Sequence, residues 1–403
     1  MNTREWIDLE KNVLLHTYAR PDFVISQGRE NVLYDLEGRA YLDFVSGIAV
    51  CALGHVDVEC VDALTQQAEK LWHCSNLYHT ESQVKLAQLL VESTFADKVF
   101  FCNSGTEAVE AAIKFARKWG RAERGGAFQI LSLKRSFHGR TYGALSATGQ
   151  PNLQQGFEPM LPGFVFADFN DLLSVEKALS PSTCAILVEP VQGEGGIYPA
   201  SVEFLQGIRR LCDRENVLLI LDEIQCGFGR TGYFCAHEFY DIYPDMMTCA
   251  KPIAGGLPLG AVLLRDAVAA CVEPGDHGST FGGGPLVTAV AHRVLSRLKD
   301  QQFLSEVRNK GNYLMSQLNI LQQVQSHIVE VRGQGLMIAI QLAVDPKQVI
   351  QHCAAEGLLI CKAGGQAIRF LPSLTVTLPQ IDNAVNILSR VLSRIGENGD
   401  TSS

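Results

Sequence analysis

Five short runs in the middle of the chain are almost continuously apolar: residues 98–102, 185–188, 217–221, 246–250 and 260–264. A strand with one face in water alternates apolar and polar side chains, so runs like these must be covered on both faces. The segments 106–119 and 201–215 carry helical periodicity and can supply that cover. Together they predict an α/β fold around a large, mostly parallel sheet. Such sheets bind ligands beyond the carboxyl ends of their strands, so chemistry is expected in the residues that follow each run.

The two ends read differently. Residues 20–50 alternate like a small antiparallel sheet with a turn at 36–39. From about residue 290 the pattern gives helices at 287–299 and 304–321, then a strand at 335–342 and a helix at 346–356. Strands follow near Leu358 and Arg369, and a last helix at 379–395 leads into a polar, frayed tail from Gly396. This predicts a smaller α+β domain built from residues 1–55 and 296–403, flanking a large domain of residues 56–295. With 403 residues, 47 % of them hydrophobic, the chain can fill both cores.

The net charge of −9 argues against nucleic acid as a general partner. No apolar run is long enough to span a membrane, and the first residues mix both charge signs, so a soluble, cytoplasmic protein is expected. The 12 cysteines never form Cys-x-x-Cys and many sit in apolar stretches, as reduced core thiols do. His73, His79, His138 and Cys74 have no metal-ligand spacing, so no metal is expected.

Four places can carry chemistry. Asn103-Ser104-Gly105-Thr106-Glu107 joins a strand to a helix; its free N–H groups suit a phosphate, and its letters equally suit a capping box. Asp222-Glu223 ends the third run, where an acid can hold a cation or a protonated ring nitrogen, or simply cap the next loop. Lys251 ends the fourth run before a Gly/Pro loop, where desolvation would lower its pKa and make it a nucleophile toward carbonyls. Arg140 and Arg369 stand in apolar or glycine-bearing surroundings and need partners, either a substrate carboxylate or a structural acid such as Glu189 or Glu194. A glycine pattern at Gly227-Phe228-Gly229-Arg230-Thr231-Gly232 opens a second class, a nicotinamide-dependent dehydrogenase. It lacks the directly preceding strand, the following helix and the later acid of that fingerprint.

Taken in order, six strings resemble the class III, ornithine-type aminotransferases: the 103–107 turn, Phe137-His138-Gly139-Arg140-Thr141, Glu189-Pro190-Val191-Gln192-Gly193-Glu194, Asp222-Glu223-Ile224-Gln225, Ala250-Lys251 and Gly278-Ser279-Thr280-Phe281-Gly282-Gly283. The resemblance runs from about residue 18 to 392. It implies the fold type I scaffold, pyridoxal 5′-phosphate as cofactor, and a homodimer with the site at its interface. Lys251 would hold the cofactor covalently and then shuttle the substrate's proton, and Asp222 would pair with the ring nitrogen. Gln225 would contact the phenolic oxygen, and Phe137 and Ile224 would sandwich the ring. Ser104, Gly105 and Thr106 would hold the phosphate, joined by Thr280 from a second subunit, with Ser279 beside it toward the substrate. Arg140 and Arg369 would bind carboxylates, Glu194 pairing with Arg369 until a dicarboxylate displaces it. The implied reaction moves the terminal amine of N-acetylornithine, or of ornithine, succinylornithine or 4-aminobutyrate, to 2-oxoglutarate in a ping-pong cycle. Two departures stand out. Pro252 follows the lysine and should push it toward extended backbone. Gly284 replaces an expected Asn and should loosen the segment carrying Thr280.

Overall fold

The computed structural model describes residues 1–399. At its centre is a seven-stranded sheet formed by β1 (Lys98–Cys102), β2 (Gln129–Leu133), β3 (Phe164–Ala167), β4 (Thr183–Val188), β5 (Leu218–Asp222), β6 (Met246–Cys249) and β7 (Gly260–Leu264). The spatial order is β1-β7-β6-β5-β4-β2-β3. Neighbours from β6 through to β3 are parallel, while β7 runs antiparallel to both β6 and β1. The reversal follows from length: the segment between Cys249 and Gly260 is too short for the helical crossover a parallel return requires. All five apolar runs are strands. β2 and β3 were not among them, because β2 carries Gln129 and Ser132 and β3 is a four-residue edge strand. Ser132 is tolerated in the interior because its hydroxyl donates to the Ala147 carbonyl at 2.6 Å.

Helices α1 (Gly105–Glu123) and α2 (Val202–Glu215) each bury one stripe of side chains against the sheet. β4 and β5 are buried along their whole length, as strands covered on both faces must be. The amino-terminal strands Ile25–Arg29, Val32–Asp35 and Ala40–Asp43 form the expected antiparallel sheet, and Leu358–Leu359 joins it in parallel beside Ala40–Asp43. A second four-stranded sheet, wholly antiparallel, contains Ile328–Gln334, Met337–Leu342, Ala367–Phe370 and Cys361–Ala363. Arg369 lies on one of its two inner strands. The sequence pattern had no place for the strand at Ile328–Gln334 or the helix at Thr3–Val13, which buries none of its residues. The last helix spans Leu378–Gly399; residues 400–403 of the expected tail lie outside the described residues. All twelve cysteines are free thiols, seven of them buried. No helix among the described residues is long and apolar enough to cross a membrane.

Candidate active site

The strand ends converge on a cavity of about 470 Å³. Its first wall is the turn from β1 into α1. Ser104 caps the helix, its Oγ accepting the Glu107 N–H at 3.3 Å, while Glu107 reaches back to the Asn103 N–H at 2.5 Å. That is a capping arrangement, yet the N–H groups of Gly105 and Thr106 keep no acceptor among the described residues. A Cβ at Gly105 would sit 2.9 Å from the Ile224 side chain, so only glycine lets the helix start approach this closely. The Thr106 hydroxyl accepts the N–H groups of Arg140 and Thr141, both at 3.2 Å, which leaves mainly its backbone N–H toward the cavity.

The two acids at the end of β5 divide the roles that sequence left open. Glu223 caps the following loop, accepting the N–H groups of Ala236 and His237 and bonding His237 Nδ1 at 2.8 Å. Asp222 lines the cavity. Its Oδ1 accepts the Ile224 N–H at 3.1 Å and its Oδ2 lies 2.7 Å from His138 Nδ1. Glu189, fully enclosed beside them, accepts the N–H groups of Phe137 and Gly193, both at 3.0 Å. Burial pushes its pKa up to about 7 against the pull of His138.

Lys251 enters from the end of β6. Its backbone is not extended: Lys251–Ala254 winds into a 3-10 turn closed by the Ile253 N–H on the Ala250 carbonyl at 2.8 Å and anchored by buried Ile253 and Ala254. Pro252 fits because the missing N–H of a first-turn residue has no intrahelical partner to lose. Burial lowers the Lys251 pKa, partly opposed by Glu194. Glu194 itself is pushed up by burial but pulled further down by Arg369. The pair is bidentate, Arg369 Nη1 to Oε1 at 2.6 Å and Nη2 to Oε2 at 3.0 Å. Gln225 is tied to both, donating to Glu194 at 3.3 Å and accepting from Arg369 at 3.2 Å. Arg140, by contrast, is exposed, stacks 5.4 Å over the Phe137 ring and has no carboxylate partner among the described residues.

The cavity thus brings together Ser104, Gly105, Thr106, Phe137, Arg140, Glu194, Asp222, Ile224, Gln225 and Lys251, with Arg369 behind Glu194. Ser279 and Thr280 do not line it. Ser279 Oγ accepts from Asn103 Nδ2 at 3.1 Å, next to the helix start, and Thr280 is exposed. Their segment is not loosened by Gly284, because Asn76 donates to the Ser279 and Gly282 carbonyls and Gln83 to that of Gly283. Tyr18, His138 and Glu189 also line the cavity without having been read as site residues. For His138 the signal was present, a histidine inside the Phe-His-Gly-Arg string. The glycines at 227–232 wrap a buried arginine: Arg230 donates to the carbonyls of Leu336 and Pro372.

The family described as aminotransferase class-III matches residues 16–392. The chain belongs to the class III aminotransferases. This family member is 45 % identical to the mitochondrial acetylornithine aminotransferase of Alnus glutinosa, over 98 % of this chain and 89 % of that protein. It is 42 % identical to the succinylornithine transaminase of Yersinia pseudotuberculosis, over 97 % and 95 %. Among solved structures, the ornithine aminotransferase of Toxoplasma gondii, described with PLP at partial occupancy in its active site, matches with a TM-score of 0.95. That match has 31 % identity over 98 % of this chain and 95 % of that one. The aminotransferase cavity fits this cofactor on its own chemistry. Unpaired N–H groups at a helix start suit a phosphate, an inward carboxylate suits a protonated ring nitrogen, and a half-buried amine with a lowered pKa suits an aldehyde.

Proposed function

We propose that this aminotransferase moves the terminal amine of N-acetylornithine to 2-oxoglutarate, giving N-acetylglutamate semialdehyde and glutamate, as in arginine biosynthesis. The observation that carries the reading is the closed Arg369–Glu194 pair in the same cavity as the unpaired Arg140. A donor with one carboxylate needs one arginine, and Arg140 is open to it while Glu194 keeps Arg369 closed. A dicarboxylate acceptor needs two, and its second carboxylate takes the place of Glu194 on Arg369. One cavity therefore serves two unlike substrates in turn.

Pyridoxal phosphate, when bound, supplies an electrophilic carbon and a ring that withdraws the electrons left when a proton departs. Ser104, Gly105 and Thr106 would hold its phosphate, and Phe137 and Ile224 would confine its ring. Asp222 would hold a proton at the ring nitrogen. Lys251, kept basic enough by Glu194 and poor in charge through burial, would take a proton from the amine-bearing carbon of the donor and deliver one to the cofactor's electrophilic carbon on the other side of the nitrogen. Gln225 keeps Glu194 and Arg369 aligned and would contact the cofactor's phenolic oxygen.

The same proposal includes a homodimer in which Thr280 completes a neighbour's phosphate site. Thr280 is exposed outside its own cavity, and Trp72, Leu77, Tyr78 and Phe281 near it are 65–85 % exposed, an apolar surface suited to a second copy. The division into a cofactor domain at 56–295 and a second domain from 1–55 and 296–403 is supported by the pairing of Leu358–Leu359 with Ala40–Asp43. Twelve free thiols suit a reducing, cytoplasmic setting. The relative from Yersinia favours one second reading, succinylornithine as donor.

The test is a panel of donors (acetylornithine, succinylornithine, ornithine, 4-aminobutyrate) against 2-oxoglutarate, ranked by kcat/KM. Acetylornithine is expected to lead; a lead for any other donor replaces this reading, and a protein that binds no pyridoxal phosphate ends it.

A further inference from the structure

Cys361 and Arg369 stand opposite each other on neighbouring antiparallel strands, so their side chains leave the sheet on one face. Every nitrogen of the buried Arg369 guanidinium is engaged. Nη1 donates to Glu194 Oε1 at 2.6 Å and to Gln225 Oε1 at 3.2 Å, and Nη2 donates to Glu194 Oε2 at 3.0 Å. Nε donates to the sulfur of half-buried Cys361 at 3.2 Å. These contacts part ways when a second substrate carboxylate arrives. Those to Glu194 are given up, while those to Gln225 and Cys361 can stay. A single contact would leave the planar group free to swivel; two, at different corners, fix its plane.

The partner at Nε is also a weak one. A thiol is a poor acceptor, and burial raises the Cys361 pKa against the pull of Arg369, so it meets the guanidinium uncharged. The charged groups that face it are Arg369, Glu194 and, from the strand Ala40–Asp43, Asp43.

We propose that Cys361 is a positioning residue for the acceptor: its sulfur and Gln225 hold two corners of the Arg369 guanidinium, which stays aimed while Glu194 is exchanged for the substrate's carboxylate. A carboxylate at this corner would cancel the charge that Arg369 offers to a ligand; an uncharged sulfur fixes the fork and leaves its charge for the acceptor. The inference deepens the acceptor reading above and rests on it.

Three substitutions test it, each in the cofactor-loaded protein. Cys361→Ser keeps an uncharged acceptor, Cys361→Ala removes it, and Cys361→Asp adds a charge. The readouts are KM for 2-oxoglutarate, KM for the amine donor, and the Kd for glutarate, a dicarboxylate with no oxo group to react. Cys361→Ser should stay within about threefold of wild type in all three. Cys361→Ala should weaken both dicarboxylates by about tenfold while the donor KM stays within about twofold. Cys361→Asp should weaken both dicarboxylates by about a hundredfold or more. A cysteine that only filled space would move donor and acceptor together. Wild-type affinity for both dicarboxylates in Cys361→Ala overturns the proposal, as does an equal loss for donor and acceptor, or a Cys361→Ser variant no better than Cys361→Ala. Wild-type protein that neither binds glutarate nor turns over 2-oxoglutarate would fault the acceptor reading itself, and the cysteine's role with it.

Discussion

Arg369 and Arg140 serve the same kind of ligand from opposite physical situations. Arg369 is buried on an inner strand, closed by two hydrogen bonds to Glu194 and a third to Gln225. Arg140 follows a glycine in a loop; its backbone is tied to Thr106, while its side chain is exposed and stacks on Phe137. The buried arginine is preorganised and already occupied, so a ligand gains there only the difference between its own carboxylate and that of Glu194. The exposed one is free, so a ligand gains the whole contact less the cost of leaving water. The difference converts two similar residues into one permanent and one conditional binding point.

The largest expected effect removes the group that both arginines serve. Lys251→Met should lower kcat by about 10⁴-fold or more, measured by glutamate release, whichever arginine the substrate uses. The same change should stabilise the cofactor-free protein at neutral pH. The folded pKa of Lys251 lies below its ordinary 10.5. The unfolded state therefore binds more protons between those values, and wild-type stability rises with pH across that window. The advantage of Lys251→Met in thermal melts should accordingly shrink as pH approaches 10.

Next comes Arg369→Ala, which leaves Glu194 unpaired in a largely buried place. It should cost about 3 kcal/mol in denaturant melts and reduce kcat/KM for 2-oxoglutarate by about 10²- to 10³-fold. Arg140→Ala should raise KM for donor and acceptor alike by about tenfold to a hundredfold with the melting temperature nearly unchanged. Equal losses of stability in the two arginine variants would erase the contrast between them. The smallest effect belongs to Glu194→Gln. Without a competing charge on Arg369, KM for 2-oxoglutarate should fall by about threefold to tenfold, while discrimination between mono- and dicarboxylates narrows. An unchanged KM would mean that Glu194 is not what the acceptor displaces.

How much of this was legible depends on sequence distance. The helix-start turn at 103–107, Asp222 at a strand end and Lys251 at another are local: residue type and strand position lie side by side in the string. The Glu194–Arg369 pair spans 175 positions and the His138–Asp222 contact 84, and no periodicity links their ends. Glu194 was therefore only one candidate partner, and His138 stood in the Phe-His-Gly-Arg-Thr string with no partner assigned to it. Lys251 shows the reverse failure. Proline's local preference predicted extended backbone there, but burial of Ile253 and Ala254 and one closing hydrogen bond outweighed it.

The sequence alone determined the parallel sheet, because doubly apolar strands have no other way to leave water, and with it the edge where ligands gather. It also determined the reactive groups, since a lysine and an aspartate at strand ends need no distant contact to be recognised. Only the tertiary structure decided their states. Packing enclosed the lysine so that its charge is disfavoured and set Glu194 against Arg369 to close one binding point. Charge states depend on what surrounds a group in space, and the chain supplies those surroundings only once it has folded.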